Sequence, residues 1–190
     1  MGIVPQEQVH YDLRAIVSRH EEAERDVTQG QRSSGVIHQI NISPGGVPKL
    51  SVDAARVTRL GIVGDEHNDK ENHGGPLAAL CLYCLEEIER LQAEGHPIGP
   101  GTTGENITLA GIGWGAMMPG ARLALGDEVV IELTDYATPC KTIRDSFIDQ
   151  EFVRISQKLH PGESRVYARI LREGVIRPGD NVALLPPDVS

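Results

Sequence analysis

Alternating apolar and polar positions predict short β-strands along most of the chain. Val36, Ile40 and Ile42 lie on one side of such a run, which the turn sequence Pro44-Gly45-Gly46 ends. The same alternation predicts three later strands, within residues 129–133, 166–170 and 182–184. Glycine-aspartate pairs, typical of tight turns, precede two of them. Short strands separated by such turns favour a barrel or a folded antiparallel sheet.

Helical spacing of apolar residues interrupts this pattern in three places. An amphipathic helix is predicted within residues 5–29, and a polar linker follows over residues 29–35. A second helix is predicted from Pro76 to about Ala93, and its apolar stripe includes Cys81 and Cys84. A third is predicted over residues 143–159, with Thr142 as its N-cap. We therefore expect an N-terminal helical extension and linker, residues 1–34, and a mainly β domain with inserted helices, residues 35–187.

Composition and charge limit the classes of protein to which this chain can belong. A chain of 190 residues can bury one apolar core without disulfides, and a net charge of −9 without a basic run argues against nucleic-acid binding. No apolar run is long enough for a membrane span, and the N-terminus lacks the features of a signal peptide. The odd number of cysteines, three, argues for a reducing compartment, so we expect a cytoplasmic protein. The oligomeric state stays open.

Cys140 is the first candidate for chemistry. It follows Thr138-Pro139 and precedes the third predicted helix, with Lys141 and Arg144 close by. Helix N–H groups and these cations would favour thiolate over thiol. Such a cysteine suits a nucleophile, a metal ligand or a sulfur carrier. The plainer interpretation, a small buried apolar side chain, stays open.

Cys81 and Cys84 form a C-x-x-C pair, and His67 and His73 lie upstream, so a zinc site must be weighed. Both cysteines fall on the apolar stripe of the second predicted helix, and no second pair accompanies them. Core packing is therefore the better interpretation.

Two glycine-rich segments are candidates for binding an anion through the backbone. His73-Gly74-Gly75 precedes the second predicted helix, where free N–H groups favour an anion. Residues 101–106 (GTTGEN) lead into a predicted strand. A plain tight turn is the better interpretation of either segment taken on its own.

The order of these motifs identifies a family resemblance. The chain carries in sequence GIVGD (61–65), NHGGP (72–76), TGENIT (103–108), LGD (125–127), TPCK (138–141), VYARIL (166–171), GV (174–175) and GD (179–180). This series resembles the MOSC domain, named for the C-terminal domain of molybdenum-cofactor sulfurase, over roughly residues 35–185.

The resemblance implies a β-barrel like that of the pyruvate kinase barrel domain, with Cys140 as the functional cysteine. In some members this thiol ligates the molybdenum of a pterin cofactor and the protein reduces N-hydroxylated substrates. In others the domain is thought to handle sulfur for the cofactor. We accordingly expect Cys140 to be the metal ligand and catalytic residue, and the cofactor to be bound by His73, Gly74, Gly75, Gly104, Glu105, Asn106, Thr138, Lys141 and Arg144.

Two departures from the family pattern bear on how an anionic cofactor is held. Many members carry an arginine just before the Pro-Cys pair, where this chain has Tyr136-Ala137-Thr138. A usual glycine near the start of the later strand is also absent, with Ser164-Arg165 in that region. The cations nearest in sequence are Lys141, Arg144, Arg165 and Arg169.

Three functions remain open from the sequence. The first is a molybdenum-cofactor enzyme, which would need an external reductase. The second is a non-catalytic carrier of persulfide sulfur, or a cofactor-binding module, with a cysteine desulfurase (a pyridoxal phosphate enzyme) as partner. The third is a structural or interaction protein on a retained fold.

Overall fold

A closed β-barrel dominates the computed structural model, which describes residues 33–66 and 75–186. The strands in chain order are β1 (Ser34–Ile42), β2 (Leu50–Val52), β3 (Ala55–Thr58), β4 (Gly61–Ile62), β5 (Leu80–Cys84), β6 (Ile107–Ala110), β7 (Arg122–Leu125), β8 (Val129–Tyr136), β9 (Val166–Arg172), β10 (Gly174–Ile176) and β11 (Asn181–Leu184). Around the barrel they follow the order β11-β7-β8-β9-β5-β6-β1, and β1 closes the ring by pairing with β11. The predicted mainly β fold is confirmed.

All of these barrel pairings are antiparallel except β5–β6, where Leu82 pairs with Ile107. The short strand β2 extends the sheet beside β1, and β10, β3 and β4 form a separate three-stranded sheet. Because β5 and β6 run parallel, the chain needs a crossover between them, which the helix described next provides.

The alternation along each strand sends one set of side chains into the barrel. On β9, Val166, Ala168 and Ile170 are buried in the apolar core, while the residues between them face outward. β8 follows the same rule with Val129, Ile131 and Leu133. All four predicted strands are present. On β1, however, the expectation that Val36 shares a face with Ile40 is wrong: Ile37 is buried and Val36 is exposed, because the pairing with β6 is irregular between Ile37 and Gln39.

The helix predicted from Pro76 to Ala93 is correct only in its second half. Residues Leu80–Cys84 form β5, and the helix α1 spans Leu85–Ala93. All five residues of β5 are buried, because β6 and β9 flank it and both of its faces are covered. A short apolar run of this kind does not distinguish a strand from a buried helix.

The helix predicted over residues 143–159 is wrong. Three short 3-10 helices occupy this segment instead, at Lys141–Ser146, Ile148–Gln150 and Phe152–Ile155. Asp149 and Gln150 have positive φ angles of 53° and 61°, which a continuous right-handed helix does not allow. Thr142 makes no capping hydrogen bond.

The predicted N-terminal helix, most of the linker and the loop containing His67, His73 and Gly74 lie outside the described residues. Within the described ranges, no helix combines the length and apolar character needed to cross a membrane.

Candidate functional site

Cys140 lies on a long loop whose two ends are fastened together. The loop leaves the barrel after β8 and returns at the start of β9. The Ala137 N–H donates to the Arg165 carbonyl at 2.9 Å, and Ser164 Oγ donates to the Ala137 carbonyl at 3.2 Å. Further along, Ser146 Oγ donates to the carbonyl of Thr102 at 3.1 Å. The cysteine loop therefore packs directly on the glycine-rich loop of residues 99–104.

The Cys140 side chain is half-buried and has one hydroxyl neighbour. Its Sγ lies 2.8 Å from Thr142 Oγ1. Cys140 precedes a 3-10 helix of only six residues, so the expected helix-dipole contribution has no long helix to supply it. Lys141 and Thr138 are exposed, and Arg144 is exposed with its Nε 3.6 Å from Asp145 Oδ1.

The barrel wall beneath this loop presents polar side chains on its outer face. Tyr167 on β9 alternates with the inward-facing Val166 and Ala168, and Arg165 lies two positions earlier. In the sheet, Tyr167 is opposite Cys81 of β5 on one side and Asp135 of β8 on the other. Cys81 and Arg165 are both only 6% exposed. We call Cys81, Arg165, Tyr167 and Asp135, with Cys140 beside them, the outer-wall site.

Arg165 is the most unusual group of this site. One guanidinium nitrogen, Nη1, donates to the carbonyl of Thr103. Its buried Nε has no hydrogen-bond partner, and no carboxylate of the described residues forms an ion pair with it. A buried cation without a counterion is costly, and a bound anion would reduce that cost.

Burial and neighbouring charges keep two groups of the site protonated. Burial raises the pKa of the Cys81 thiol to about 11, although the charge of Arg165 lowers it in part. Burial also raises the pKa of Tyr167 to about 12; negative charge on Cys81 and on Cys140 adds to the rise, and Arg165 opposes it. Cys81, Arg165 and Cys140 therefore all lie within electrostatic range of Tyr167.

Glu105 is fully buried and organises the adjacent loop. Its Oε1 accepts hydrogen bonds from the Gly101 N–H at 2.5 Å and from Thr108 Oγ1 at 3.2 Å. Its Oε2 accepts one from Thr103 Oγ1 at 2.8 Å. Three neutral donors therefore hold this carboxylate, and through Thr103 it fixes the carbonyl that contacts Arg165.

Asn106 connects the same loop to the barrel and to a buried ion pair. Its Oδ1 accepts from the Cys81 N–H at 3.1 Å, and its Nδ2 donates to Asp65 Oδ2 at 2.8 Å. Asp65 in turn pairs with Lys49, and both side chains are almost completely buried. The amide of Asn106 thus positions the strand that carries Cys81.

Two glycines of the loop, Gly101 and Gly104, lie so close to residues 47–49 that a side chain would not fit. Gly101 has a φ of +83°, and a Cβ there would lie 2.4 Å from the Lys49 carbonyl oxygen. Gly104 has a φ of +81°, and a Cβ would lie 2.9 Å from Val47 Cγ1. Residues 101–106 are therefore a rigid wall of the site, packed against the loop before β2.

The structure brings some of the predicted site residues together and separates others. Cys140, Glu105, Asn106 and Gly104 belong to the two loops joined by Ser146. Gly75 is exposed, with a φ of +85°. His73 and Gly74 lie outside the described residues, so their expected role stays a prediction.

Sequence reasoning assigned Cys81 to a helix with Cys84, but β5 sends the two side chains to opposite faces. Cys84 joins the apolar core, and its Sγ donates to Glu86 Oε2 at 2.8 Å, whereas Cys81 faces Arg165. A shared zinc ion is disfavoured by that divergence. Within the described ranges, no three His, Cys, Asp or Glu side chains are grouped to hold a metal ion. Tyr167 was also missed, since only the register of β9 against β5 places it in the site.

Comparisons with known proteins give the family and the fold of the chain. The family model of the MOSC domain matches residues 69–183. The uncharacterized protein YflK of Bacillus subtilis is 31% identical over 145 residues, which are 76% of this chain and 64% of that protein. A protein named "Reductase" from Gibberella moniliformis is 28% identical over 130 residues, 66% of this chain and 22% of that protein. This chain therefore spans less than two thirds of the length of either relative.

The crystal structure of YiiM from Geobacillus stearothermophilus has a similar fold. It superimposes with a TM-score of 0.58 and 23% sequence identity, over 82% of this chain and 77% of that one. At that identity the likeness concerns the fold alone.

Proposed function

This chain belongs to the MOSC domain family, and we propose that it binds a molybdenum-bearing pterin cofactor through Cys140. We further propose that the bound form reduces N-hydroxylated substrates with electrons from an external donor. Membership of the family follows from the match to residues 69–183. We propose the cofactor, the metal ligand and the substrate class from the residues of the outer-wall site.

One observation carries it: the buried guanidinium of Arg165, whose Nε has no partner, at the base of the loop that carries Cys140. Arg165 is 6% exposed, no described carboxylate forms an ion pair with it, and its carbonyl accepts a hydrogen bond from the Ala137 N–H of that loop. A pterin cofactor carries an anionic phosphate, which suits a desolvated guanidinium that can donate two hydrogen bonds. Arg165 thus takes the place of the arginine that many members carry before the Pro-Cys pair.

Cys140 has the character that a metal ligand needs. Its thiol is half-buried, so a ligand can reach it, and Thr142 Oγ1 lies 2.8 Å from Sγ. A soft thiolate suits a molybdenum–sulfur centre. The residues present therefore fit the group: Arg165 would hold its anionic end, and Cys140 would bind the metal.

When bound, the cofactor supplies the redox-active centre, and the protein supplies position and electrostatics. Reducing an N-hydroxyl group consumes two electrons and two protons and releases water. The relative from Gibberella moniliformis that is named "Reductase" is consistent with reductive chemistry, and only 22% of that protein aligns with this chain. We therefore assign the electrons to a separate reductase.

A second candidate, a persulfide carrier, rests on the exposure of Cys140. A carrier needs an accessible thiol that can accept sulfur from a cysteine desulfurase, and of the three cysteines only Cys140 is not buried. This function requires neither the anion site at Arg165 nor a bound metal.

The deciding experiment is to express the wild type, Cys140→Ala and Cys84→Ala with the molybdenum-cofactor pathway and to assay molybdenum and pterin. We expect the wild type and Cys84→Ala to carry both, and Cys140→Ala to carry neither. Cys84→Ala is the matched control, because its thiol lies in the apolar core. Equal, near-zero content in all three proteins would overturn the proposal and leave the sulfur carrier as the favoured function.

A further inference from the structure

Tyr167 occupies the centre of the outer-wall site. It lies opposite Cys81 and Asp135 in the sheet, and it projects from the same face of β9 as Arg165, two positions earlier. Its side chain is half-buried. The loop that carries Cys140 begins beside Arg165, because the Ala137 N–H donates to the Arg165 carbonyl at 2.9 Å. The phenol therefore lies on the part of the wall where the buried guanidinium and the start of the cysteine loop meet.

The hydroxyl of Tyr167 is available to a ligand, unlike that of the neighbouring Tyr83. The Tyr83 hydroxyl donates a hydrogen bond to the Glu163 carbonyl oxygen at 3.0 Å. Over the described ranges, the Tyr167 hydroxyl makes no hydrogen bond to any residue. Within the described residues, the buried polar side-chain atoms without a partner belong to Arg165 and Arg169, so the Tyr167 hydroxyl is open to solvent and a ligand can reach it.

The phenol hydroxyl can donate one hydrogen bond, and the buried Arg165 Nε carries a second N–H without a partner. A protonated phenol beside a guanidinium presents donors to a single negatively charged ligand group.

Building on the proposed function, we propose that Tyr167 donates a hydrogen bond to an anionic oxygen of the ligand. Arg165 supplies the charge at this point, and the two side chains together form an oxyanion subsite beside Cys140. Tyr167 is thereby a ligand-binding residue that was not among those predicted from the sequence. The subsite recognises a phosphate, carboxylate or metal-oxo oxygen by the same chemistry.

Charge-selective alkylation of Cys140 tests this without any bound cofactor. Iodoacetate carries a carboxylate and iodoacetamide does not, while both react with the thiolate by the same displacement of iodide. The rates are measured at Cys140 by peptide mass spectrometry for the wild type, Tyr167→Phe and Tyr136→Phe. Tyr136 is the matched control, because it ends β8 and packs against the apolar core.

We expect Tyr167→Phe to lower the iodoacetate rate about tenfold, the size expected for losing a hydrogen bond to a charged group, and to leave the iodoacetamide rate nearly unchanged. Tyr136→Phe should change neither rate. If the two rates in Tyr167→Phe fall together, or if their ratio stays that of the wild type, the proposal is overturned.

The molybdenum assay separates this proposal from the proposed function. A charge-selective loss in Tyr167→Phe, together with no molybdenum in the wild type, supports the oxyanion subsite and rejects the cofactor. Molybdenum in the wild type, together with an unchanged rate ratio in Tyr167→Phe, rejects the role of Tyr167 and leaves the cofactor assignment standing.

Discussion

The inside of the barrel and the outer face of its wall at β5 and β9 are both buried, but they are built on different rules. Inside, the contacts are among aliphatic side chains such as Leu80, Leu82 and Ala168. Outside, Lys49, Glu105, Asn106 and Arg165 are buried as well, and fixed polar contacts hold them. An apolar interior adapts to small changes in shape, whereas a buried polar layer fails if one partner is missing.

The three cysteines sample this difference. Cys84 lies in the apolar interior, Cys81 in the polar layer, and Cys140 at the rim, where its thiol is half-exposed. One residue type therefore has three environments within one chain. We expect the reactivity of the thiols and the cost of substitutions to differ accordingly.

The largest expected effect concerns the reactivity of the thiols. Burial raises the pKa of Cys81 to about 11, and burial together with Glu86 raises that of Cys84 still further. Near neutral pH the thiolate fraction of Cys81 is then below about 0.001, and access to both sulfurs is restricted. We expect Cys140 to be alkylated more than about 100-fold faster than either, as measured by mass spectrometry of the folded protein.

The pH dependence sharpens this test. Alkylation of Cys81 should rise about tenfold per pH unit up to its pKa near 11, because only the thiolate reacts. Comparable rates at Cys81 and Cys140 near neutral pH would mean that the outer wall is open to solvent, contrary to the structure.

The next effect concerns the polar layer. Glu105→Gln keeps the size of the side chain but replaces one carboxylate oxygen by an amide NH2. That NH2 then faces groups that themselves donate hydrogen bonds to the carboxylate. We expect the free energy of unfolding to fall by about 2–3 kcal/mol, measured by urea denaturation. Glu89→Gln, at an exposed position on α1, is the control and should change stability very little.

A near-neutral result for Glu105→Gln would show that the glycine-rich loop can rearrange its hydrogen bonds. The polar layer would then tolerate a changed side chain as well as the apolar interior does, and the two regions would not differ in this respect.

The sequence predicted the residues of the barrel interior far better than those of the buried polar layer. Alternation along β8 and β9 predicted their inward-facing residues, because a two-residue period reports which face is apolar. The same rule failed at Leu80–Cys84, which is buried on both faces and shows no alternation. Three of its five residues, Leu80, Cys81 and Cys84, fitted a helical stripe, and Cys81 was therefore assigned to the wrong environment.

The candidate site was predictable only in part. Cys140 and the loop of residues 101–106 stand out in the sequence by residue type and by order. Tyr167 lies within the motif VYARIL (166–171), but that motif does not mark it as a binding residue. Its role depends on lying opposite Cys81 across β5 and β9, which are more than 80 residues apart in sequence. Arg165 was visible as a nearby cation, but its burial and its unpaired Nε are properties of the folded chain.

A smaller effect is expected in the apolar interior. Cys84→Ala removes a buried sulfur and its hydrogen bond to Glu86, and we expect a loss of about 1 kcal/mol or somewhat more in the free energy of unfolding. Bound molybdenum should be unaffected. If the wild type instead contains one tightly bound zinc ion that Cys84→Ala loses, the core assignment of Cys84 is wrong.

The smallest effect concerns the ion pairs that fasten the cysteine loop to α1. Arg154 donates to Glu94 at 2.8 Å and also pairs with Glu163, and Arg90 contacts the same two carboxylates. Hydrogen bonding to Arg154 lowers the pKa of Glu94, although burial opposes it. For Glu163, burial raises the pKa, and hydrogen bonds from Arg154 and Arg90 outweigh that effect. Both carboxylates therefore stabilise the fold in their charged form.

Arg154→Met keeps most of the aliphatic stem and removes the charge, and it should lower the free energy of unfolding at pH 7 by at most about 1 kcal/mol, because these pairs are partly exposed. Since the folded-state pKa values lie below the ordinary 4.5, the stabilisation is present above pH 4.5 and is lost as the pH falls further. The difference in the free energy of unfolding between wild type and variant, measured by urea denaturation, should accordingly disappear in acid.

Arg144→Met, on the exposed part of the same loop, is the control and should show no difference from the wild type at either pH. A gap between wild type and Arg154→Met that persists unchanged well below pH 4 would mean that Arg154 acts through the packing of its stem, and that the loop carrying Cys140 is held by apolar contacts like those of the interior.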